Sequence, residues 1–343
     1  DGDRCPASQG GGSVRCVVRA DSIGDRVPAH AGGRVHSVFE RACNIETLSG
    51  ELVTLLAREL GNVPHGIRLA GLVAPFGSWL IPGQSAMLDN AVLRVADTGI
   101  TVDLSGTAVW RGAVAAVPMG LCSMDPGGAA IAAALRELCA TLVERAPEQG
   151  FAPLLAVRAS ARSAVDYAFA SRLSHTLPML ARATERHDVT AVAEAAARLV
   201  GLGPGLTPSG DDFIAGYLAA LWSRAGFESG IDAMLQALAD ALAPLFLRTN
   251  AISRQMLSDA AQGRFAERLV DVTVAIAGAG NVVEATTRAL ASGHSSGADT
   301  LCGLLFGYAP DQGVPSLRDC PPRQRLRRAA QFESSPGRTA AVA

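Results

Sequence analysis

The sequence predicts an α+β protein, a β-rich N-terminal domain followed by an all-helical C-terminal domain. Three observations predict it. β-Branched segments punctuated by turn residues fill residues 31–120, and Ala- and Leu-rich segments with helical spacing fill residues 121–310. The helical block also repeats one helix start, Ser-Gly-x-Asp-x-x-x-Gly, as Ser209, Gly210, Asp212, Gly216 and again as Ser296, Gly297, Asp299, Gly303, with every matched position 87 residues apart.

Residues 1–30 are Gly-, Asp- and Arg-rich and read as a flexible leader. In the β-rich block, Arg34-Val-His-Ser-Val-Phe-Glu40 alternates as a half-buried strand does. Met87 to Val95 and Ile100 to Trp110 carry β-branched residues around turn signals such as Asp97-Thr-Gly99. One helix, Ser49 to Leu60, is expected inside this block, because Leu52, Leu55, Leu56 and Leu60 have helical spacing and Gly61 supplies a stop. The texture changes near residue 120. After Pro126-Gly-Gly128, Ile131, Leu135, Leu138, Cys139, Leu142 and Val143 share one helical face. Further helices are expected over 161–183, 189–200, 209–225, 231–247, 250–261, 265–277, 281–291 and 296–308. Residues 311–343 form a tail whose Arg323–Arg328 cluster reads as a solvated face.

Composition narrows the chemistry. With 343 residues, 49% of them hydrophobic, the chain can bury a large core. A net charge of −2 disfavours nucleic acid and anionic membranes as partners. All 30 basic residues are Arg, so no Schiff-base or P-loop lysine is available, and a bound phosphate or carboxylate has to be met by Arg or by backbone amides. The seven cysteines are scattered without a C-x-x-C pair, which gives no zinc framework and fits a reducing, cytoplasmic setting. No apolar run reaches the roughly 18 residues of a membrane span.

The repeated motif carries the candidate site. A glycine-rich turn opening an apolar helix aims free N–H groups and the positive helix dipole at one point, which favours an anion. Gly203, Gly205, Thr207, Ser209 and Gly210 in the first copy, with Ser296 and Gly297 in the second, are the ligand-binding candidates. Asp211, Asp212, Asp299 and His294 are the candidate catalytic groups. The competing structural reading makes Ser209 and Ser296 N-caps, with Asp212 and Asp299 completing capping boxes. Capping leaves Asp211 and the four glycines and two prolines of Gly201–Gly210 unexplained. Gly216 and Gly303, inside their helices, suggest close approach of the two helices around a pseudo-twofold axis. Gly293-His-Ser-Ser-Gly297 spells a nucleophile elbow, but the segment before it reads as helix where an elbow needs a strand. Arg248 and Arg254 are further anion-clamp candidates. A Mg²⁺ ion on Asp211, Asp212 and Asp299 is the alternative; otherwise no cofactor is expected.

Three stretches, Gly201 to Leu221, Thr249-Asn-Ala-Ile-Ser253 with Ala260-Ala-Gln-Gly263, and Gly293 to Gly303, resemble the AllH-like family, as do Val35-His-Ser-Val-Phe39 and Gly61-Asn-Val-Pro-His-Gly66. The resemblance covers residues 34–308. It implies a subunit of an oxamate carbamoyltransferase, which converts oxalurate and phosphate to oxamate and carbamoyl phosphate in allantoin breakdown. It implies a small anionic metabolite as ligand and further protein subunits as partners. No Ser-Thr-Arg-Thr phosphate loop of the familiar carbamoyltransferases is present. A Mg²⁺-dependent hydrolase and a non-catalytic scaffold subunit are the other readings.

Overall fold

β-Branched, alternating segments form a closed barrel. The computed structural model describes residues 16–71, 75–116, 126–147, 149–152, 164–225, 228 and 230–308. Its barrel strands are β1 (Cys16–Gly24), β2 (His30–Val38), β3 (Ala42–Thr47), β4 (Leu52–Leu56), β5 (Gly66–Leu69), β6 (Ser85–Asp89), β7 (Val92–Val95), β8 (Ile100–Asp103) and β9 (Ala108–Trp110). The order is β5-β4-β3-β2-β6-β7-β8-β1-β9, and the antiparallel pairing of β1 with β5 closes it. β1 serves two further neighbours in turn, β8 along Cys16–Arg19 and β9 along Ser22–Gly24. Val35, Ile45, Leu55, Ile67 and Leu93 point into a dry interior.

Two expectations are corrected here. Strand β1, Cys16–Gly24, lies inside the stretch taken as leader. The helix expected from Ser49 to Leu60 is instead strand β4 and a short 3₁₀ turn, Arg58–Leu60. β4 is buried on both faces, and a run such as Leu-Val-Thr-Leu-Leu has no alternation to distinguish it from a buried helix.

The helical domain comprises α1 (Pro126–Arg145), α2 (Ala164–Glu185), α3 (Val189–Ala196), α4 (Ser209–Arg224), α5 (Ile231–Leu242), α6 (Ala251–Ala261), α7 (Glu267–Ile276), α8 (Val282–Leu290) and α9 (Ser296–Tyr308). The segment expected as one helix over 231–247 stops being α-helical after Leu242 and continues as 3₁₀ over Ala243–Arg248, where Pro244 cannot donate. Asn250 and Asn281 cap α6 and α7's successor α8 through their side chains. α4 and α9 form the centre; every residue of α4 but Trp222 is buried. A helix apolar all round needs neighbours on every side, and α4 and α9 are each other's main neighbour.

The two domains are joined by polar contacts. Glu267 accepts from the Asn62 backbone N–H at 2.7 Å, His65 Nδ1 lies 3.1 Å from Asp259 Oδ2, and Arg264 reaches Asp25 at 2.9 Å. Cys43 and Cys302 are free and buried, whereas Cys16 and Cys139 are disulfide-bonded. Among the described residues no helix is long and apolar enough to cross a membrane.

Candidate functional site

The packing of α4 on α9 brings the two motif copies together. A Cβ on Gly216 would stand 1.8 Å from the Thr300 carbonyl oxygen, and one on Gly303 would stand 1.9 Å from the Phe213 carbonyl oxygen. Phe213 and Thr300 are themselves equivalent positions of the repeat, so the two contacts are one contact made twice. Farther along, Gly307 packs on Ala220, again an equivalent pair. The helices therefore run in the same direction about a pseudo-twofold axis, and both N-termini converge at one end. Gly210 and Gly297 also act as spacers, since Cβ atoms there would meet the Leu199 and Ala289 carbonyl oxygens at 2.0 and 2.1 Å.

The loop ahead of α4 is shaped by Gly201, Gly203 and Gly205, with φ of 75°, 113° and 103° in the left-handed region. Its base is pinned by Asp211, which is fully buried. Asp211 Oδ1 accepts from the Gly201 N–H at 2.7 Å and Oδ2 from the Thr249 hydroxyl at 2.5 Å. Asn250 Nδ2 donates to the Leu206 carbonyl at 2.8 Å, holding the tip. Among the described residues, the N–H groups of Gly203, Gly205, Leu206 and Thr207 have no acceptor within the chain. Arg248 flanks the loop, exposed, and donates to the Ala197 carbonyl at 2.8 Å.

Ser209 does not cap its own helix in the expected way. Pro208 occupies the N-cap position of α4, and no side chain caps it. Ser209 instead lies against Asp299, and Ser296 against Asp212, each hydroxyl acting to lower the carboxyl of the other copy's aspartate. Thr207 and Ser296 share a hydroxyl–hydroxyl bond of 2.6 Å across the junction.

The two aspartates are the least satisfied groups in the region. Asp299 Oδ1 accepts from the Phe151 N–H at 2.6 Å, but Asp299 Oδ2 and Asp212 Oδ2 are buried with no hydrogen-bond partner. Burial pushes the Asp299 carboxyl up to about 6, partly offset by the Phe151, Ser209 and Ser295 bonds. Burial also raises Asp212 well above the usual carboxylate range, against the Ser296 and Thr207 hydroxyls, and the Asp299 and Asp211 charges raise it further.

The structure thus gathers Thr207, Ser209, Asp212, Ser296 and Asp299 at one point, with Gly203 and Gly205 in the loop above. Asp211 spends both oxygens inside the protein. His294 is exposed and makes no hydrogen bond or ion pair among the described residues. Thr249 and the Phe151 N–H escaped the sequence reading as site groups; the Thr249-Asn250 helix start was the only signal for the first, and the second had none. Among the described residues no three His, Cys, Asp or Glu side chains group as a metal ion would need. A cavity of about 100 Å³ lies elsewhere, on the barrel beside Arg41, Glu59 and Phe76.

Two family models match the chain. Residues 17–109 match the AllH family N-terminal domain, and residues 199–308 match oxamate carbamoyltransferase subunit AllH. The second match contains both motif copies and the Thr249 anchor. No solved structure matches.

Proposed function

Since this chain belongs to the AllH family, we propose that it works as one subunit of a carbamoyl-transferring enzyme of the oxamate carbamoyltransferase kind, alongside partner subunits. Its reaction is carbamoyl exchange between oxalurate and phosphate, giving oxamate and carbamoyl phosphate. The small anionic substrate binds at the Gly201–Asp212 loop. The observation that carries this reading is the pairing of Asp212 and Asp299, each with a buried oxygen unpartnered among the described residues, beneath the Gly203, Gly205, Leu206 and Thr207 N–H groups, which lack acceptors there.

Buried unsatisfied polar atoms cost about 1–3 kcal/mol each, which is tolerated at sites where a ligand completes them. Carbamoyl transfer passes through a tetrahedral centre whose oxygen gains negative charge, and N–H donors at converging helix starts stabilise such a charge. The loop amides of Gly203–Thr207 supply donors, and Arg248 supplies positive charge at the flank. The carboxyl pair supplies the proton that the oxamate nitrogen takes up as its bond to the carbamoyl carbon breaks.

The test is a thermal-shift series on the full chain with carbamoyl phosphate, phosphate, oxalurate and oxamate. A stabilisation of several degrees by at least one of them is expected, lost in Asp212→Asn. No shift with any of the four at millimolar concentration would remove the loop as a ligand site.

A further inference from the structure

The loop and the carboxyl pair are chemically opposite. The loop offers donors, the Gly203, Gly205, Leu206 and Thr207 N–H groups, in a segment exposed from Pro204 to Leu206. The interior offers Asp212 and Asp299, at 2% and 0% exposure, each with an unpartnered Oδ2. Three aspartates lie within this small region, and Arg248, beside the loop, sits outside with its Nη1 on a carbonyl. An anion placed against the acids would meet charge of its own sign. A group bearing N–H would meet unpartnered acceptors.

Resting on the site reading above, we propose that Asp212 and Asp299 bind the N–H-bearing amide end of the substrate, while the Gly203–Thr207 amides hold its anionic end. A primary amide has a carbonyl to accept and an N–H pair to donate. The two unpartnered Oδ2 atoms present buried acceptors to that N–H pair. The Thr207–Ser296 hydroxyl contact spans the boundary between the two ends, and both hydroxyls act on Asp212. Because both carboxyls are buried, substrate reaches them only when that contact parts.

The deciding experiment is calorimetric titration of the full chain with oxamate and with oxalate. The two are nearly isosteric and share a carboxylate, but only oxamate carries N–H. Oxamate is expected to bind at least about tenfold more tightly, the worth of one hydrogen bond to a charged group. In Asp212→Asn and Asp299→Asn, melting temperature serving as the folding control, that preference shrinks. Equal binding of the two ligands by the native chain overturns this inference and leaves the loop as an anion site. Binding of neither overturns the site reading itself. If the variants do not fold, the native chain's preference between the two ligands still decides.

Discussion

The first motif copy, at the start of α4, and the second, at the start of α9, share a pattern but not a use. Their symmetric part is packing. Gly216 meets Thr300 as Gly303 meets Phe213, and Ser209 faces Asp299 as Ser296 faces Asp212. Their asymmetric part is polar. The first copy has a ten-residue glycine- and proline-rich approach and a second acid, Asp211; at the equivalent position of the second copy stands Ala298. Asp211 holds the loop through Gly201 and Thr249, whereas the second copy borrows a donor, the Phe151 N–H, from another part of the chain. Repetition built a paired-helix platform, and departure from repetition gave it a loop on one side only.

The largest expected effect tests the symmetric part. Gly216→Ala and Gly303→Ala each drive a methyl into a backbone carbonyl that belongs to a packed helix and cannot swing away. Each should cost about 3 kcal/mol or more in urea denaturation. The two losses should be similar; a severalfold difference would break the twofold relation.

A comparable effect distinguishes the two acids. The Asp299 carboxyl is raised from 3.8 to about 6, so the folded chain holds that proton more tightly than the unfolded chain. The penalty is absent below pH 3.8, grows as pH rises, and is complete above about 6, where it reaches about 3 kcal/mol. Denaturation between pH 4 and 8 should therefore show a loss with rising pH that Asp299→Asn flattens. Asp212→Asn should likewise flatten a loss with rising pH, because burial, with the Asp299 and Asp211 charges, raises that carboxyl too. Identical profiles for the two variants would mean the sites are equivalent after all.

Asp211→Ala sharpens the asymmetry. It strands the Gly201 N–H and the Thr249 hydroxyl and should cost about 2 kcal/mol by thermal denaturation, with loss of loop-dependent ligand binding. A silent substitution would show that the loop is not pinned there. The smallest effect is that of Thr207→Val, which removes one hydroxyl bond at the junction and should cost under about 1 kcal/mol of stability while changing ligand affinity more. An unchanged affinity would detach the hydroxyl contact from binding.

Much of this was legible beforehand. Apolar spacing places α6 and α9 within a residue of their expected starts, because a long amphipathic or wholly apolar run has only one good solution as helix. The glycines inside α4 and α9 pointed to close helix approach, since nothing else repays their cost. The site's hydrogen bonds were not legible. Ser209 and Ser296 look like caps locally, and only the crossing of α4 and α9 turns each toward the other copy's aspartate. β4 was misread because burial on both faces erases the alternation that distinguishes a strand.

The sequence by itself determined the two-domain order, the helical half, the doubled helix start and the absence of lysine chemistry, all properties of local pattern and composition. The tertiary structure alone decided that the barrel closes through β1 and that Asp211 is a pin. It also left Asp212 and Asp299 with bare buried oxygens. Burial and partner choice depend on atoms distant in the chain, Thr249 for Asp211 and Phe151 for Asp299, and no local pattern encodes a neighbour that arrives only when the helices cross.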